Sequence, residues 1–135
     1  MSKLIKKVAL IGGGVIGGGW AARFLLNGID VNVYDPSDSA ERSLNEMLSN
    51  ARGAYSKLTM APLLKPGKLV FLDSLEKVVQ DVEFVQESAP EQLELKRSII
   101  NQIEQFVPET SLICSSTSGL KPSDLQAEMK HPERF

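Results

Sequence analysis

The 135-residue chain contains a single cysteine and a single histidine. One cysteine, Cys114, cannot form an internal disulfide, which suits a reducing, cytoplasmic setting. Within Leu112-Ile113-Cys114 it reads as a small buried strand residue rather than a reactive thiol. The lone histidine, His131, lies in His131-Pro132-Glu133-Arg134 and reads as a surface loop; no metal site is expected. Neither sign of charge dominates: 15 Lys and Arg against 17 Asp and Glu leave a formal net charge of −2. That gives no basic footprint, so nucleic acid is not an expected partner. No apolar run approaches the roughly eighteen residues that a bilayer span requires, so no membrane partner is expected either. The stretch Met1 to Lys7 is too short and too quickly strand-like for a secretory leader. No repeat, low-complexity segment or linker interrupts the chain, and 42% hydrophobic and 24% charged residues are ordinary for a globular protein. Residues 1–135 therefore read as one domain with a real core.

What the chain does have is glycine, concentrated where it carries meaning. The apolar run Val8-Ala9-Leu10-Ile11 leads straight into Gly12-x-Gly14-x-x-Gly17, and an apolar helix begins at once. Eighteen residues after Gly17, a second apolar run (Ile29, Val31, Val33) ends on Asp35. This is the Rossmann dinucleotide-binding fingerprint in its full context. Gly12 permits the tight strand-to-helix turn, Gly14 lets a pyrophosphate approach the backbone, and Gly17 lets the helix lie close to the strand. The phosphates would sit at the helix N-terminus, where unpaired N–H groups and the helix dipole favour an anion. The expected cofactor-binding segment is Gly12, Gly13, Gly14, Val15, Ile16 and Gly17. Asp35 would accept from both hydroxyls of the adenosine ribose. It would also repel a 2′-phosphate, and Pro36-Ser37-Asp38 offers no arginine to receive one, so NAD is favoured over NADP. FAD, which uses the same turn, stays open on these residues alone.

The remaining pattern alternates strand and helix. Strands are expected at Lys7 to Ile11, Asp30 to Tyr34, Leu69 to Leu72, Val82 to Glu87 and Ser111 to Ser115. A helix from Val15 to Asn27 carries Ile16, Trp20 and Phe24 at i, i+4 spacing with Ala21 and Leu25 beside them, and Asn27-Gly28 closes it. Trp20 reads as packing on this helix rather than stacking on a cofactor. A long helix from Ser39 to Leu58 has Leu44, Met47, Leu48, Ala51, Tyr55 and Leu58 on its apolar face. Short Leu75 to Val79 follows. Pro90 suits the first turn of a helix reaching Phe106, which would bury Leu95, Ile99, Ile100, Ile103 and Phe106. Ser123-Asp124-Leu125-Gln126 resembles a capping box opening a last short helix. Strands separated by helices imply an α/β fold, a doubly wound, mainly parallel sheet covered on both faces. Ligands of such sheets bind at the C-terminal ends of the strands. That edge would hold the glycine turn, Glu87-Ser88-Ala89-Pro90 and Ser115-Ser116-Thr117-Ser118.

Taken together, Ile11-Gly-Gly-Gly-Val-Ile-Gly17, Gln86-Glu-Ser-Ala-Pro-Glu91, Leu95-Lys96 and Ser115-Ser-Thr-Ser-Gly-Leu120 resemble the 3-hydroxyacyl-CoA dehydrogenase superfamily. Trp20-Ala-Ala-Arg-Phe24, the Ser-Thr-Ser-Gly-Leu-x-Pro-Ser stretch ending at Ser123, and His131-Pro-Glu-Arg134 are most similar to its L-carnitine dehydrogenase branch. The L-gulonate 3-dehydrogenase branch shares many of these motifs. The resemblance implies NAD-dependent oxidation of a secondary alcohol at the 3-position, with carnitine giving 3-dehydrocarnitine. The alternatives are an L-3-hydroxyacyl-CoA or L-gulonate substrate, or a non-catalytic NAD-binding module.

By the same resemblance, Asp35 would bind the adenosine ribose, Glu87 would lie near the nicotinamide ribose, and Ser118 would hydrogen-bond the substrate hydroxyl as the catalytic residue. The lysine that often follows the Glu87 position is replaced by Gln92, so no cationic contact is expected there. The family's general base, a histidine on the next strand, and its helical C-terminal domain are expected beyond Phe135. The sheet is accordingly expected to be incomplete at its C-terminal strand. The 135 residues would be the N-terminal, NAD-binding portion of a longer enzyme that acts on a small 3-hydroxy substrate and forms a homodimer.

Overall fold

A computed structural model describes residues 4–135. Met1 to Lys3, the start of the stretch weighed against a leader, lie outside the described residues. Five parallel strands form one sheet in the order β3-β2-β1-β4-β5. They are β1 (Lys7–Ile11), β2 (Asp30–Tyr34), β3 (Leu69–Phe71), β4 (Phe84–Glu87) and β5 (Leu112–Ser115). The helices between them are α1 (Val15–Leu25), α2 (Ala40–Leu58), α3 (Leu75–Val79), α4 (Leu93–Glu104) and α5 (Pro122–Leu125), with a final 3-10 turn at Pro132–Arg134. This is the expected doubly wound α/β architecture.

Alternation along the central strand divides the core into two layers, because successive strand side chains point to opposite faces. Val8 and Leu10 pack with Val31, Val33, Ala21, Leu25 and Leu44 beneath α1 and α2. Ala9 and Ile11 pack with Val85, Ile113, Ile100 and Ile103 beneath α3 and α4. The chain winds from β1 outward to β3, then returns to the other side of β1 for β4. The connections after β1 and β4 therefore diverge and open a crevice at the carboxyl edge, the usual ligand position in such sheets. Register then aligns the chemistry: Ile11 lies opposite both Tyr34 and Glu87, and Glu87 lies opposite Ser115.

Several local expectations are corrected. The buried face of α1 is Gly17, Gly18, Ala21, Ala22 and Leu25, so Ala21 and Leu25 of the expected apolar set lie inside, Phe24 is partly buried against the core, and Ile16 and Trp20 are outside it. Small residues let the helix axis approach the strands, which leaves Ile16 and Trp20 on the outer surface. There Trp20 stacks on Phe24 with ring centroids 5.5 Å apart, packing within its own helix. α1 also ends at Leu25, before Asn27. In α2 only Ala40 and Leu44 are buried; the apolar line fades toward exposed Leu58 as the helix runs past the sheet. α4 starts at Leu93 on Gln92, leaving Pro90 outside it, and ends before Phe106. Phe106 is consequently exposed while Val107 turns inward and is buried. α5 opens two residues early, on Pro122 at its first position, with Lys121 rather than Ser123 as cap and no side-chain capping bond. Ser123 stands at the second helical position rather than ahead of the helix, so it cannot serve as the N-cap that a capping box requires.

Candidate functional site

The glycine turn is shaped by two steric necessities and one vacancy. Gly12 has φ +102°, and a Cβ there would stand 2.8 Å from the carbonyl oxygen of Ser88. At Gly17 a Cβ would meet the carbonyl oxygen of Gly12 at 1.9 Å. Both contacts are with backbone, so no side-chain adjustment could relieve them. Gly14 is the opposite case: a Cβ would find nothing within 4 Å. Packing therefore does not require glycine there, but the close approach of a ligand would. Gly14 is also the N-cap of α1, with no side-chain cap and no acidic residue in the first turn. The first helical bond runs from the Gly18 N–H to the Gly14 carbonyl at 2.7 Å. The N–H groups of Val15, Ile16 and Gly17 precede it, so the helix N-terminus is open to an anion.

Asp35 is tied into this turn. Its Oδ2 accepts from the Gly13 N–H at 2.6 Å, and its Oδ1 accepts from the Ser37 N–H at 2.8 Å. Each carboxylate oxygen keeps a further lone pair for a ribose hydroxyl. Beside Asp35 a cavity of about 590 Å³ extends from Gly12 and Gly14 to Leu75, Leu95 and Gln102. That cavity explains Leu95, which is 37% exposed rather than buried as the helical periodicity suggests. Its side chain forms a wall of the crevice, not of the core. An apolar slot beside a carboxylate and an open helix N-terminus fits the adenosine diphosphate half of a dinucleotide.

The other half of the edge is organised around a buried ion pair. Glu87 and Lys96 have relative exposures of 0% and 1%. The Lys96 ammonium donates to Glu87 Oε1 at 2.8 Å, to Glu87 Oε2 at 3.0 Å and to the Ala89 carbonyl at 2.9 Å. Glu87 also accepts from the Ala89 N–H at 2.5 Å and from the Ser115 hydroxyl. The structure thus places Glu87 at the expected edge but buries it completely, with both oxygens engaged. No cation stands at Gln92; the charge that meets Glu87 comes from Lys96, one turn into α4. The signal was present in the sequence. Lys96 lies on the inward face of α4 with Ile99, Ile100 and Ile103, and a lysine there requires a buried partner.

Ser118 lies on the loop after β5 and is exposed; its hydroxyl has no hydrogen-bond partner among the described residues. Thr117 before it and Gly119 after it are both held by Glu91. Glu91 Oε1 accepts from the Thr117 hydroxyl and from the Gly119 N–H, the latter at 3.2 Å. The hydroxyl bond from Thr117 chiefly holds the Glu91 carboxyl below the usual glutamate range. Reading the sequence missed Glu91 as well, because a glutamate beside a helix start ordinarily reads as solvated. Ser88 and Ser116 share a 2.8 Å hydroxyl contact between the two halves of the edge.

His131 is elsewhere. Its N–H donates to Glu104 at the C-terminal end of α4, and its ring lies 3.4 Å from the Glu133 carboxylate on the surface. Half-burial pushes the Cys114 thiol above its ordinary value, away from the thiolate form. Among the described residues no helix is long and apolar enough to cross a membrane.

Comparison with known proteins bears on this geometry. The family model described as "3-hydroxyacyl-CoA dehydrogenase, NAD binding domain" matches residues 7–135. L-carnitine dehydrogenase/betainyl-CoA thioesterase of Rhizobium meliloti (strain 1021) is 59% identical over 131 residues, covering 97% of this chain and 26% of that protein. L-carnitine dehydrogenase of Mesorhizobium japonicum is 48% identical over 133 residues, covering 98% of this chain and 36% of that protein. Among solved structures, 5-formyl-3-hydroxy-2-methylpyridine 4-carboxylic acid 5-dehydrogenase, described as NAD+ dependent, superposes with a TM-score of 0.86 at 32% identity, covering 97% of this chain and 43% of that one. Escherichia coli 3-hydroxybutyryl-CoA dehydrogenase superposes at 0.81 with 26% identity, covering 98% of this chain and 29% of that one. The chain thus spans 26% and 36% of the length of the two curated relatives. The dinucleotide of the matched family is NAD, which closes the FAD alternative that the glycine turn left open.

Proposed function

The chain belongs to the NAD-binding domain family of the 3-hydroxyacyl-CoA dehydrogenases, and from that premise we propose that it is the cofactor-binding part of an enzyme oxidising L-carnitine to 3-dehydrocarnitine. The choice of substrate is carried by one observation, the 59% identity to a protein named L-carnitine dehydrogenase over nearly the whole of this chain. In this reading the N–H groups above Gly14 hold the pyrophosphate, and Asp35 holds the adenosine ribose. The apolar slot beside Leu75 and Leu95 receives the adenine. Bound NAD supplies the hydride acceptor for the carbon bearing the 3-hydroxyl.

The unpartnered Ser118 hydroxyl, at the same sheet edge, hydrogen-bonds the substrate hydroxyl and orients it. Glu87 acts from beneath, as the buried support of the nicotinamide end. Taking the hydroxyl proton requires a base. His131 is not that base, since it is bonded at the far end of α4; the base is to be sought outside these 135 residues. The whole enzyme is read as a cytoplasmic homodimer, the half-buried, unpaired Cys114 being consistent with a reducing setting.

Titration of the chain with NAD and NADP tests the cofactor half: NAD should bind at least about tenfold more tightly, since each 1.4 kcal/mol is worth tenfold. Equal or reversed affinity removes Asp35 from its role. Carnitine-dependent reduction of NAD by the intact protein tests the substrate half, with L-3-hydroxybutyryl-CoA and L-gulonate as competitors. Preference for either of those overturns the carnitine assignment.

A further inference from the structure

The cations of this chain are unevenly placed. From Met47 to Leu72 the sequence carries Arg52, Lys57, Lys65 and Lys68 and not one aspartate or glutamate, in a chain whose net charge is −2. None of those four side chains has a hydrogen bond or ion pair among the described residues. The same stretch borders a cavity of about 350 Å³ at the amino edge of the sheet, opposite the glycine turn. Leu26 after α1, Leu48 of α2 and Leu69 at the start of β3 give it an apolar wall, and Asn45, Ser49 and Arg52 line it from α2. These three stand at i, i+4 and i+7, on one face of the helix. The Arg52 guanidinium and the Ser49 hydroxyl are unengaged. Asn45 donates once, to the Glu41 carbonyl at 2.9 Å, and keeps a second N–H. Backbone fixes the far wall: the Gly67 N–H donates to the Leu25 carbonyl at 2.9 Å, and the Lys68 N–H to Asp30 Oδ1 at 2.7 Å. A Cβ at Gly67 would stand 2.0 Å from the Ile29 carbonyl oxygen, so only glycine lets the chain press this close to the start of β2.

We propose that this cavity is a second binding site, for a small aliphatic anion whose carboxylate or phosphate meets Arg52 and Ser49 while its hydrocarbon body lies on Leu26, Leu48 and Leu69. The volume falls within the range of about 300–1,000 Å³ usual for small-ligand sites. The sign of the ligand follows from the lining: it offers a cation and neutral donors, and no acidic side chain. The one carboxylate tied to its wall, Asp30, already accepts from Lys68. The Phe24 and Leu25 carbonyls at the end of α1 are likewise taken, each by two N–H groups, so they hold nothing out to a cation. The aliphatic body follows from the leucines, which a bare inorganic anion would leave in water. No residue lines both this cavity and the dinucleotide crevice, so the proposal stands apart from the reading of the catalytic edge.

The test is an NMR titration of the 135-residue chain with hexanoate, hexyl phosphate and hexyltrimethylammonium, which share a tail and differ in head group. Either anion should shift the Ser49 and Gly67 amides saturably, the tighter one naming the head group, and the cation should bind at least about tenfold more weakly. Arg52→Gln should weaken the anion about tenfold, the value of one charge-assisted hydrogen bond, and Arg52→Lys should recover most of that. Ser49→Trp, from an exposed position on the rim, should fill the cavity and abolish binding. Both residues lie outside the core, so the urea midpoint and NAD affinity of these variants should stay at wild-type values. No saturable shift by about 20 mM of either anion overturns the proposal, as does equal binding of the cation or wild-type affinity in Arg52→Gln. Shifts centred on Gly12 and Leu95 would place the anion in the dinucleotide crevice instead. Shifts at Ser49 and Gly67 that follow protein concentration without any probe would show a second copy of the chain covering the cavity, and would overturn it too.

Discussion

Replacing Lys96 by methionine isolates the buried pair that underlies this edge. The two side chains are similar in length and apolar volume, so packing is nearly conserved and the perturbation is electrostatic. Glu87 is left fully buried, with the Ala89 N–H and the Ser115 hydroxyl as its remaining donors. Removing one partner of a buried ion pair typically costs about 3–5 kcal/mol, because the surviving charge is uncompensated. The Ala89 carbonyl also loses its bond from the ammonium. A domain of this size has a total stability of about 7–20 kcal/mol, so Lys96→Met should fold, but with much less margin. With a urea slope of about 2 kcal/mol per molar, the unfolding midpoint should fall by about 1.5–2.5 M. Glu87→Gln should cost a similar amount, since it strands the ammonium instead.

The decisive measurement is the double variant. Once both charges are gone, what remains is one or two imperfectly paired polar groups, each worth about 1–3 kcal/mol. The double variant should therefore be no less stable than the worse single variant, and the two effects should fail to add by at least about 2 kcal/mol. Equilibrium urea unfolding followed by circular dichroism measures all four corners of the cycle, provided the slopes agree. Additivity within about 0.5 kcal/mol would refute the pair as a coupled unit. A cost below about 1 kcal/mol for Lys96→Met alone would show that the buried carboxylate does not depend on it.

Four further outcomes follow from the same geometry. Gly14→Ala should change stability by no more than about 1 kcal/mol, the difference between these residues at an N-cap, while weakening NAD binding at least tenfold by calorimetry; unimpaired binding would mean that the pyrophosphate passes elsewhere. Gly17→Ala should lose both, because relieving a 1.9 Å approach to the Gly12 carbonyl moves α1 off the sheet; thermal melts and NAD titration of the same sample would show it. Asp35→Asn should narrow the preference for NAD over NADP, as measured by the ratio of dissociation constants, and should leave the Ser37 N–H bonded through the amide oxygen. The pH dependence of the Ser118 loop has a definite sign: the Glu91 carboxyl is held below its ordinary value, so its bonds from Thr117 and Gly119 contribute fully at neutral pH and are lost only as pH falls below the ordinary glutamate range, about 4.3. Gly119 amide shifts that moved between pH 6 and 8 would contradict that.

The order of elements was legible because alternating and helical periodicities switch cleanly along this chain, and the glycine turn because its spacing serves sterics as well as binding. The misreadings have one physical source: apolar periodicity identifies a face but not what covers it. On α1, Ile16 and Trp20 form an apolar line, yet glycine and alanine form the face that meets the sheet, since close packing against a strand favours small residues over large ones. On α4, Leu95 shares the apolar character of Ile99 but fronts the crevice. Lys96 entered the sequence reading only within the Leu95-Lys96 motif and received no role, although its helical position pointed inward. Its partner lies nine residues earlier on a different element, and the pairing depends on how β4 and α4 meet.

The edge of the sheet is consequently built from two materials with opposite requirements. The groups expected to meet a ligand (the backbone above Gly14, the outer lone pairs of Asp35, the hydroxyl of Ser118) are open and have spare hydrogen-bonding capacity. Directly beneath them lie groups with almost none: Glu87 and Lys96 satisfy each other, and Ser115 and Ala89 complete them. This division follows from the energetics of burial. A charge with unsatisfied capacity is tolerable at the surface and costly inside, so a rigid support made of charges must be saturated. Precise placement of exposed groups requires such a support, because loops have little stiffness of their own. Glu91 joins the two layers, its one oxygen bonded to the loop and the other facing the buried ammonium. Lys96→Met should therefore loosen Gly119 as well as lower global stability, through Glu91 and without any direct contact with the loop. If amide exchange at Gly119 in that variant tracked only the loss of global stability, the two layers would be independent and the connection through Glu91 would carry no force.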